Sequence, residues 1–331
     1  MANNIFLPIT ISDLCASKSG IKTIDHLSII IQTSLKTVIL GETGSGKTSL
    51  LRLMAGLEQA DSGVLFYGEN RIKGADEQLI PGHPFIAYLS QYSDLRNNYR
   101  VQELLDYDNQ LPIQEAKEIY RICDILHLTD RWSDELSGGE KQRVAIAKMI
   151  TKKPKVILLD EPFAHLDYFH KQTIKDLLDS IIATLNIGCV LVTHDARDVL
   201  GWAEEIHVIR NGKLVQTGKP EELYHCPTNK YVAGMLGDFS LIKYDPELFT
   251  TAEHVIPPAS SLILLRPSYF KIDSVEGIPV QIKKIVFKGD HIELLVVKNE
   301  QSVKLSTSFN DNLPNNIRIK YSRKILHWIT D

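Results

Sequence analysis

The chain has 331 residues, 44% of them apolar and 24% charged, with a formal net charge of −4. That length is enough for two domains, and the composition is ordinary for a soluble globular fold with a core of normal size. The slightly acidic balance excludes a general nucleic-acid binder, which needs clustered Lys and Arg to displace counterions, so no nucleic acid is expected as a partner.

Cys15, Cys123, Cys189 and Cys226 lie far apart and form no CxxC pair. They read as free thiols in a reducing compartment rather than as disulfides or metal ligands. The opening MANNIFLPIT has no basic segment followed by a long apolar one, so no signal peptide is expected. No apolar run reaches the roughly 18 residues needed to cross a membrane. If the chain serves a membrane process, it is expected to dock on other subunits.

The first apolar run is Thr37-Val38-Ile39-Leu40. It leads into Gly41-Glu42-Thr43-Gly44-Ser45-Gly46-Lys47-Thr48, which matches GxxxxGK[ST]. Leu50, Leu53, Met54 and Leu57 then recur at helical spacing. A strand–loop–helix of this kind is a phosphate cradle. Backbone N–H groups of a glycine-rich turn and of a helix start face anionic oxygens. Lys47 would put a cation on the β/γ-phosphates, and Thr48 would offer a hydroxyl to Mg²⁺. The motif predicts nucleotide binding but does not choose among kinases, GTPases and ATPases.

Further on, Phe85-Ile86-Ala87-Tyr88-Leu89-Ser90 precedes Gln91, and residues from about 92 to 135 read as a charged helical insertion. Leu136-Ser137-Gly138-Gly139-Glu140 opens another helix with Ile146, Met149 and Ile150 on one face. Small residues at a helix start suit a second anion site; Ser137 and Glu140 also fit a plain capping box. Val156-Ile157-Leu158-Leu159 ends in Asp160-Glu161, two carboxylates at a strand tip, where open α/β sheets place ligands. Asp167 in Phe163-Ala164-His165-Leu166-Asp167 fits a helix N-cap. A third run, Cys189-Val190-Leu191-Val192, leads into Thr193-His194-Asp195. Apolar strands alternating with helices predict an α/β fold with a parallel sheet buried on both faces.

From about residue 240 the texture changes. Prolines punctuate short alternating segments at 280–282, 291–294, 302–305 and 317–320, with Gly289-Asp290 between two of them. This predicts a small all-β domain.

Taken in order, these motifs make the sequence resemble the ABC ATPase family, whose signature is LSGGQ or LSGGE. The resemblance implies a RecA-like P-loop NTPase core with a helical subdomain at about 92–150, within an ATPase domain spanning 1–236. It implies ATP and Mg²⁺ as cofactors, the nucleotide held by Gly41, Glu42, Thr43, Gly44, Ser45, Gly46, Lys47, Thr48 and Ser49. Metal contacts would come from Thr48, Gln91 and, through water, Asp160. Glu161 would act as general base. His194 would be the switch histidine on the γ-phosphate, and Gln91 the glutamine that senses the metal and links to the helical region. Ser137, Gly138 and Gly139 would close over the γ-phosphate of a partner subunit, and Asp167 would lie at the pair's interface. Two chains are therefore implied, as a homodimer or a close heterodimer.

Arg210-Asn211-Gly212-Lys213-Leu214-Val215-Gln216-Thr217-Gly218-Lys219-Pro220-Glu221-Glu222-Leu223-Tyr224 resembles the end of importer ATPases of the spermidine, ferric-iron, sulfate/molybdate and maltose groups. In those an OB-like (TOBE) β-domain follows, which would be residues 240–331 here, and Leu265-Arg266-Pro267 resembles a short motif of that domain. The family usually places an adenine-stacking aromatic within Cys15–Gly20; this stretch has none and the nearest upstream is Phe6, so looser base specificity is expected. Ala147-Lys148 and Glu140 are minor variants of the pattern. The expected function is an ATPase on the cytoplasmic face of the membrane. It would drive two integral-membrane permease subunits fed by a solute-binding protein. Two competing classes are a non-transport ABC protein, which typically has two cassettes in one chain or a long coiled coil, and a nucleotide-gated binding module, against which Glu161 and His194 speak.

Overall fold

A computed structural model describes residues 6–91, 95–245, 247–249, 261–308, 313–323 and 326–329. The chain divides into two compact units, Met1–Pro220 and Glu221–Asp331. Residues 92–94, at the start of the expected helical region, lie outside the described residues.

The elements of the first unit are β1 (Ile9–Lys18), β2 (Ile21–Ile31), β3 (Lys36–Leu40), α1 (Lys47–Met54), β4 (Ser62–Tyr67), β5 (Asn70–Arg71), β6 (Ile86–Leu89), α2 (Val101–Tyr107), α3 (Ile113–Ile122), α4 (Gly138–Ile150), β7 (Val156–Asp160), α5 (Tyr168–Leu185), β8 (Gly188–Thr193), β9 (Glu205–Arg210) and β10 (Lys213–Gly218). The three apolar runs read from the sequence are β3, β7 and β8. They sit side by side in a six-stranded sheet of order β10-β9-β3-β8-β7-β6. β9, β3, β8, β7 and β6 run parallel, and β10 closes the edge antiparallel to β9. β7 and β8 are buried at every position, as strands covered on both faces must be.

The register decides where chemistry can occur. Leu40 pairs with Thr193, and Asp160 pairs with Val192. The residues that follow β3, β7 and β8 therefore emerge together at one edge, the carboxyl ends of the strands.

A second, antiparallel sheet of order β2-β1-β4-β5 was not read from the sequence. Its strands share one core with α1 and the parallel sheet, including Ile9, Ile24, Leu50, Met54, Leu65, Leu158 and Val190. The helical region carries α2, α3 and α4, together with single 3₁₀ turns at Leu126–Leu128 and Ser133–Glu135.

The second unit holds all of α6 (Pro220–His225) after its first residue, then α7 (Lys230–Met235), β11 (Ser240–Ile242), β12 (Leu262–Leu265), β13 (Phe270–Ile272), β14 (Ile278–Phe287), β15 (Ile292–Lys298), β16 (Gln301–Thr307), β17 (Asn316–Tyr321) and β18 (His327–Ile329). All its strand pairs are antiparallel, in sheets of order β11-β12-β18 and β13-β17-β14-β15-β16. The alternating segments of the sequence fall in β14 to β17, and Gly289 takes positive φ in the β14–β15 turn. Arg266 ties α6 and α7 to these strands. It is fully buried and stacks on Tyr224, and its guanidinium donates to the carbonyls of Tyr224, Ala233, Gly237 and Asp238. Carbonyls at helix ends carry partial negative charge, which is what a buried cation without a carboxylate partner requires.

Candidate nucleotide site

The loop after β3 wraps the start of α1. Gly46 is the N-cap at φ 100°, a left-handed conformation. A Cβ there would come within 2.3 Å of the Thr23 carbonyl oxygen, so the turn needs glycine both for its dihedral and for space. No side chain caps this helix and no acidic residue stands in its first turn. Its first N–H groups are thus left to an outside acceptor.

Lys47 is only 6% exposed. Its ammonium donates to the carbonyls of Gly41 (2.8 Å) and Glu42 (2.9 Å), and stands 4.0 Å from the Glu161 carboxylate. Burial pulls its pKa below the usual lysine range, against the pull of Glu161 and Asp160. Ser45 is buried, and its Oγ has no hydrogen-bond partner among the described residues. A buried ammonium held by two carbonyls, a buried orphan hydroxyl and an uncapped helix start are together short of one multivalent anion. The residues present fit a nucleotide's phosphates.

Asp160 lies at the tip of β7 and is buried. One carboxylate oxygen accepts from Thr48 Oγ1 (3.1 Å) and the other from the Tyr88 hydroxyl (2.9 Å). Burial pushes the Asp160 carboxyl above the usual range, opposed by these two hydrogen bonds. A hydroxyl and a carboxylate at one point form a hard-oxygen donor set that suits Mg²⁺. Glu161 follows at φ 49°, a left-handed conformation uncommon outside glycine, and its N–H donates to Val192 O (3.1 Å). This forced turn points its carboxylate to His194, whose Nδ1 lies 2.9 Å from Oε1.

A cleft of about 270 Å³ collects these groups. Thr23, Thr43, Gly44, Gly46, Lys47, Thr48, Ser49, Gln91, Glu161 and His194 line it. Gly41 and Glu42 contribute the carbonyls that hold Lys47, and Asp160 sits behind Thr48. Ser137, Gly138, Gly139 and Asp167 are not among its lining residues. Ser137 caps α4 instead. Its Oγ accepts from Glu140 N (3.3 Å) and its own N–H donates to the Glu140 carboxylate (2.8 Å), a complete capping box. Asp167 caps α5, accepting from His170 N (3.0 Å).

Two contributors were not read from the sequence. Tyr88 is an unremarked strand residue whose link to Asp160 exists only through the pairing of β6 with β7. Thr23 reaches the cleft from β2, in the sheet the sequence did not disclose.

A family model described as ABC transporter matches residues 24–164. The sulfate/thiosulfate import ATP-binding protein CysA of Synechococcus elongatus is 30% identical over 291 residues, covering 86% of this chain and 84% of that protein. The Fe(3+) ions import ATP-binding protein FbpC of Mannheimia succiniciproducens is 29% identical, with 82% of each covered. The spermidine/putrescine import ATP-binding protein PotA of Clostridium acetobutylicum is 28% identical, covering 91% of this chain and 93% of its own length. Among solved structures, cbiO1 from Clostridium perfringens, part of the ABC transporter complex cbiONQ, superposes with a TM-score of 0.60 at 26% identity, covering 66% of this chain and 91% of that one.

Proposed function

This chain belongs to the ATP-binding subunits of ABC importers, and on that premise we propose a division of labour among its residues and partners. It is an ATPase whose hydrolysis powers solute import. Gly41–Ser49 hold the triphosphate, with Lys47 as the cation on its outer phosphates. Mg²⁺, when bound by Thr48, Gln91 and Asp160, offsets the charge on the phosphate oxygens. Glu161 accepts a proton from the attacking water, and His194, joined to it at 2.9 Å, holds that carboxylate in place and faces the γ-phosphate position.

The observation that carries this reading is the split between the two glycine turns. One completes a cleft around Lys47, Glu161 and His194; the other lies outside it, already capped. A second chain, placed head to tail, would bring its Ser137–Gly139 turn over the first chain's nucleotide. A homodimer is the simplest pair. Two integral-membrane permease subunits, fed by a solute-binding protein, would hold the pair at the cytoplasmic face of the membrane. No helix among the described residues is long and apolar enough to cross a membrane. A groove of about 810 Å³ offers those subunits a seat; Ile80, Pro81, Leu89 and Met149 line it beside Tyr88, which holds Asp160. We assign the ATPase domain to 1–236, with the helical subdomain at about 92–150, and the β-domain to 240–331.

The test is Glu161→Gln. Turnover should fall about 10²–10⁴-fold, the usual worth of a general base. Nucleotide binding should survive, and ATP with Mg²⁺ should trap a dimer in size-exclusion chromatography. Unchanged turnover would remove Glu161 from this role.

A further inference from the structure

The start of α5 meets both the Ser137–Gly139 turn and the loop that follows His194. His170 Nδ1 lies 2.6 Å from the Asp167 carboxylate, whose other oxygen accepts the His170 backbone N–H at 3.0 Å. A carboxylate only accepts, so Nδ1 carries the proton and the ring is fixed in orientation. The ring's other edge presses on the Ser137–Gly139 turn: a Cβ added to Gly139 would lie 2.9 Å from His170 Cδ2. The next residue, Lys171, donates to both carboxylate oxygens of Asp198, at 2.8 and 2.7 Å, and so ties α5 to the loop that follows His194. A buried side chain closes the circuit on the far side. Gln142, one turn into α4, donates to the carbonyl of Pro162, the residue after Glu161.

We propose that His170 is a positioning residue that sets the Ser137–Gly139 turn against the Asp167 loop, with Gln142 as its counterpart, so that each chain's own Glu161–His194 end and the turn it lends to its partner move as one piece. The capping box fixes the backbone of the turn, but Gly138 and Gly139 have no side chains with which to hold the turn against a neighbouring element. His170 is what packs on the turn, and Asp167 fixes His170. The proposal rests on the head-to-tail pairing described above. Under that pairing the two ATP sites of a dimer are joined through each chain by these contacts, because the turn closing one site is braced by the loop beside the other.

The experiment uses the full chain with Glu161→Gln, so that ATP and Mg²⁺ hold the pair without turnover. Two constants are measured for it with and without His170→Ala: the affinity of the separated chains for a fluorescent ATP analogue, and the ATP-dependent dimerisation constant by analytical ultracentrifugation. The expected result is dimerisation weakened about tenfold, the worth of one charge-assisted contact, with nucleotide affinity of the single chain unchanged. His170→Gln, which keeps a donor for Asp167, should recover most of the loss. A merely structural role would lower both constants together, as would a misfolded variant, and either outcome overturns the proposal. Equal dimerisation with and without His170 overturns it while leaving the pairing intact. Failure of the Glu161→Gln chain itself to dimerise overturns both.

Discussion

α1 and α4 both start at glycine-rich turns, and they are finished in opposite ways. The start of α1 has no capping side chain, no acidic residue in its own first turn, and a buried lysine beside it. The start of α4 is closed by Ser137 and Glu140, and Glu140 adds a negative charge to its first turn. An anion gains most where donors are free and positive charge is unbalanced. The first turn is therefore built to hold an anion within its own chain. The second is already capped by its own residues and offers a small-residue surface for a partner to use.

The contrast can be broken most severely at Lys47. Lys47→Ala should weaken binding of a fluorescent ATP analogue about 10- to 100-fold, the range expected for a lost hydrogen bond to a charged group. Undiminished affinity would mean that the α1 turn is not the anion site. Tyr88→Phe is milder. It removes only the hydrogen bond to Asp160, and loss of such an outer partner should raise the Mg²⁺ concentration that half-saturates nucleotide binding about tenfold. Titration of Mg²⁺ at fixed nucleotide checks this, and an unchanged midpoint would remove Tyr88 from the site.

Ser137→Ala should cost about 1 kcal/mol of stability, the usual value of an N-cap, read from urea unfolding. Glu140 sharpens the same side by pH. The backbone N–H of Ser137 holds its carboxyl below the ordinary 4.5. Its contribution is therefore present above the ordinary glutamate value and lost as pH falls through the lower folded one. The stability gap between the wild type and Glu140→Gln should be constant near neutrality and shrink in acid. A gap that grew on acidification would mean that Glu140 is not held as a carboxylate.

Much of this was legible in the residues. β3, β7 and β8 were visible because strands buried on both faces are continuous apolar runs, and each ends in the loop that carries chemistry. The antiparallel sheet was not visible. In β1 the pairing slips between Ile11 and Leu14, Leu14 and Ala16, and Ala16 and Ser17, so bulges break the alternation that marks a strand. Tyr88 went unread because its role comes from a neighbouring strand rather than from any spacing. The left-handed backbone of Glu161 leaves no trace in composition, since the surrounding structure imposes it. The grouping of α6 and α7 with the β-strands depends on Arg266, whose burial no local pattern announces.

The most direct test sets Lys47→Ala and Ser137→Ala side by side, each titrated as a single chain with a fluorescent ATP analogue and then, in the Glu161→Gln background, examined for ATP-dependent dimers. Lys47→Ala should lose single-chain affinity, whereas Ser137→Ala should keep it and lose only the dimer. Equal loss of single-chain affinity in both variants would contradict this, because the two turns would then serve one site in one chain.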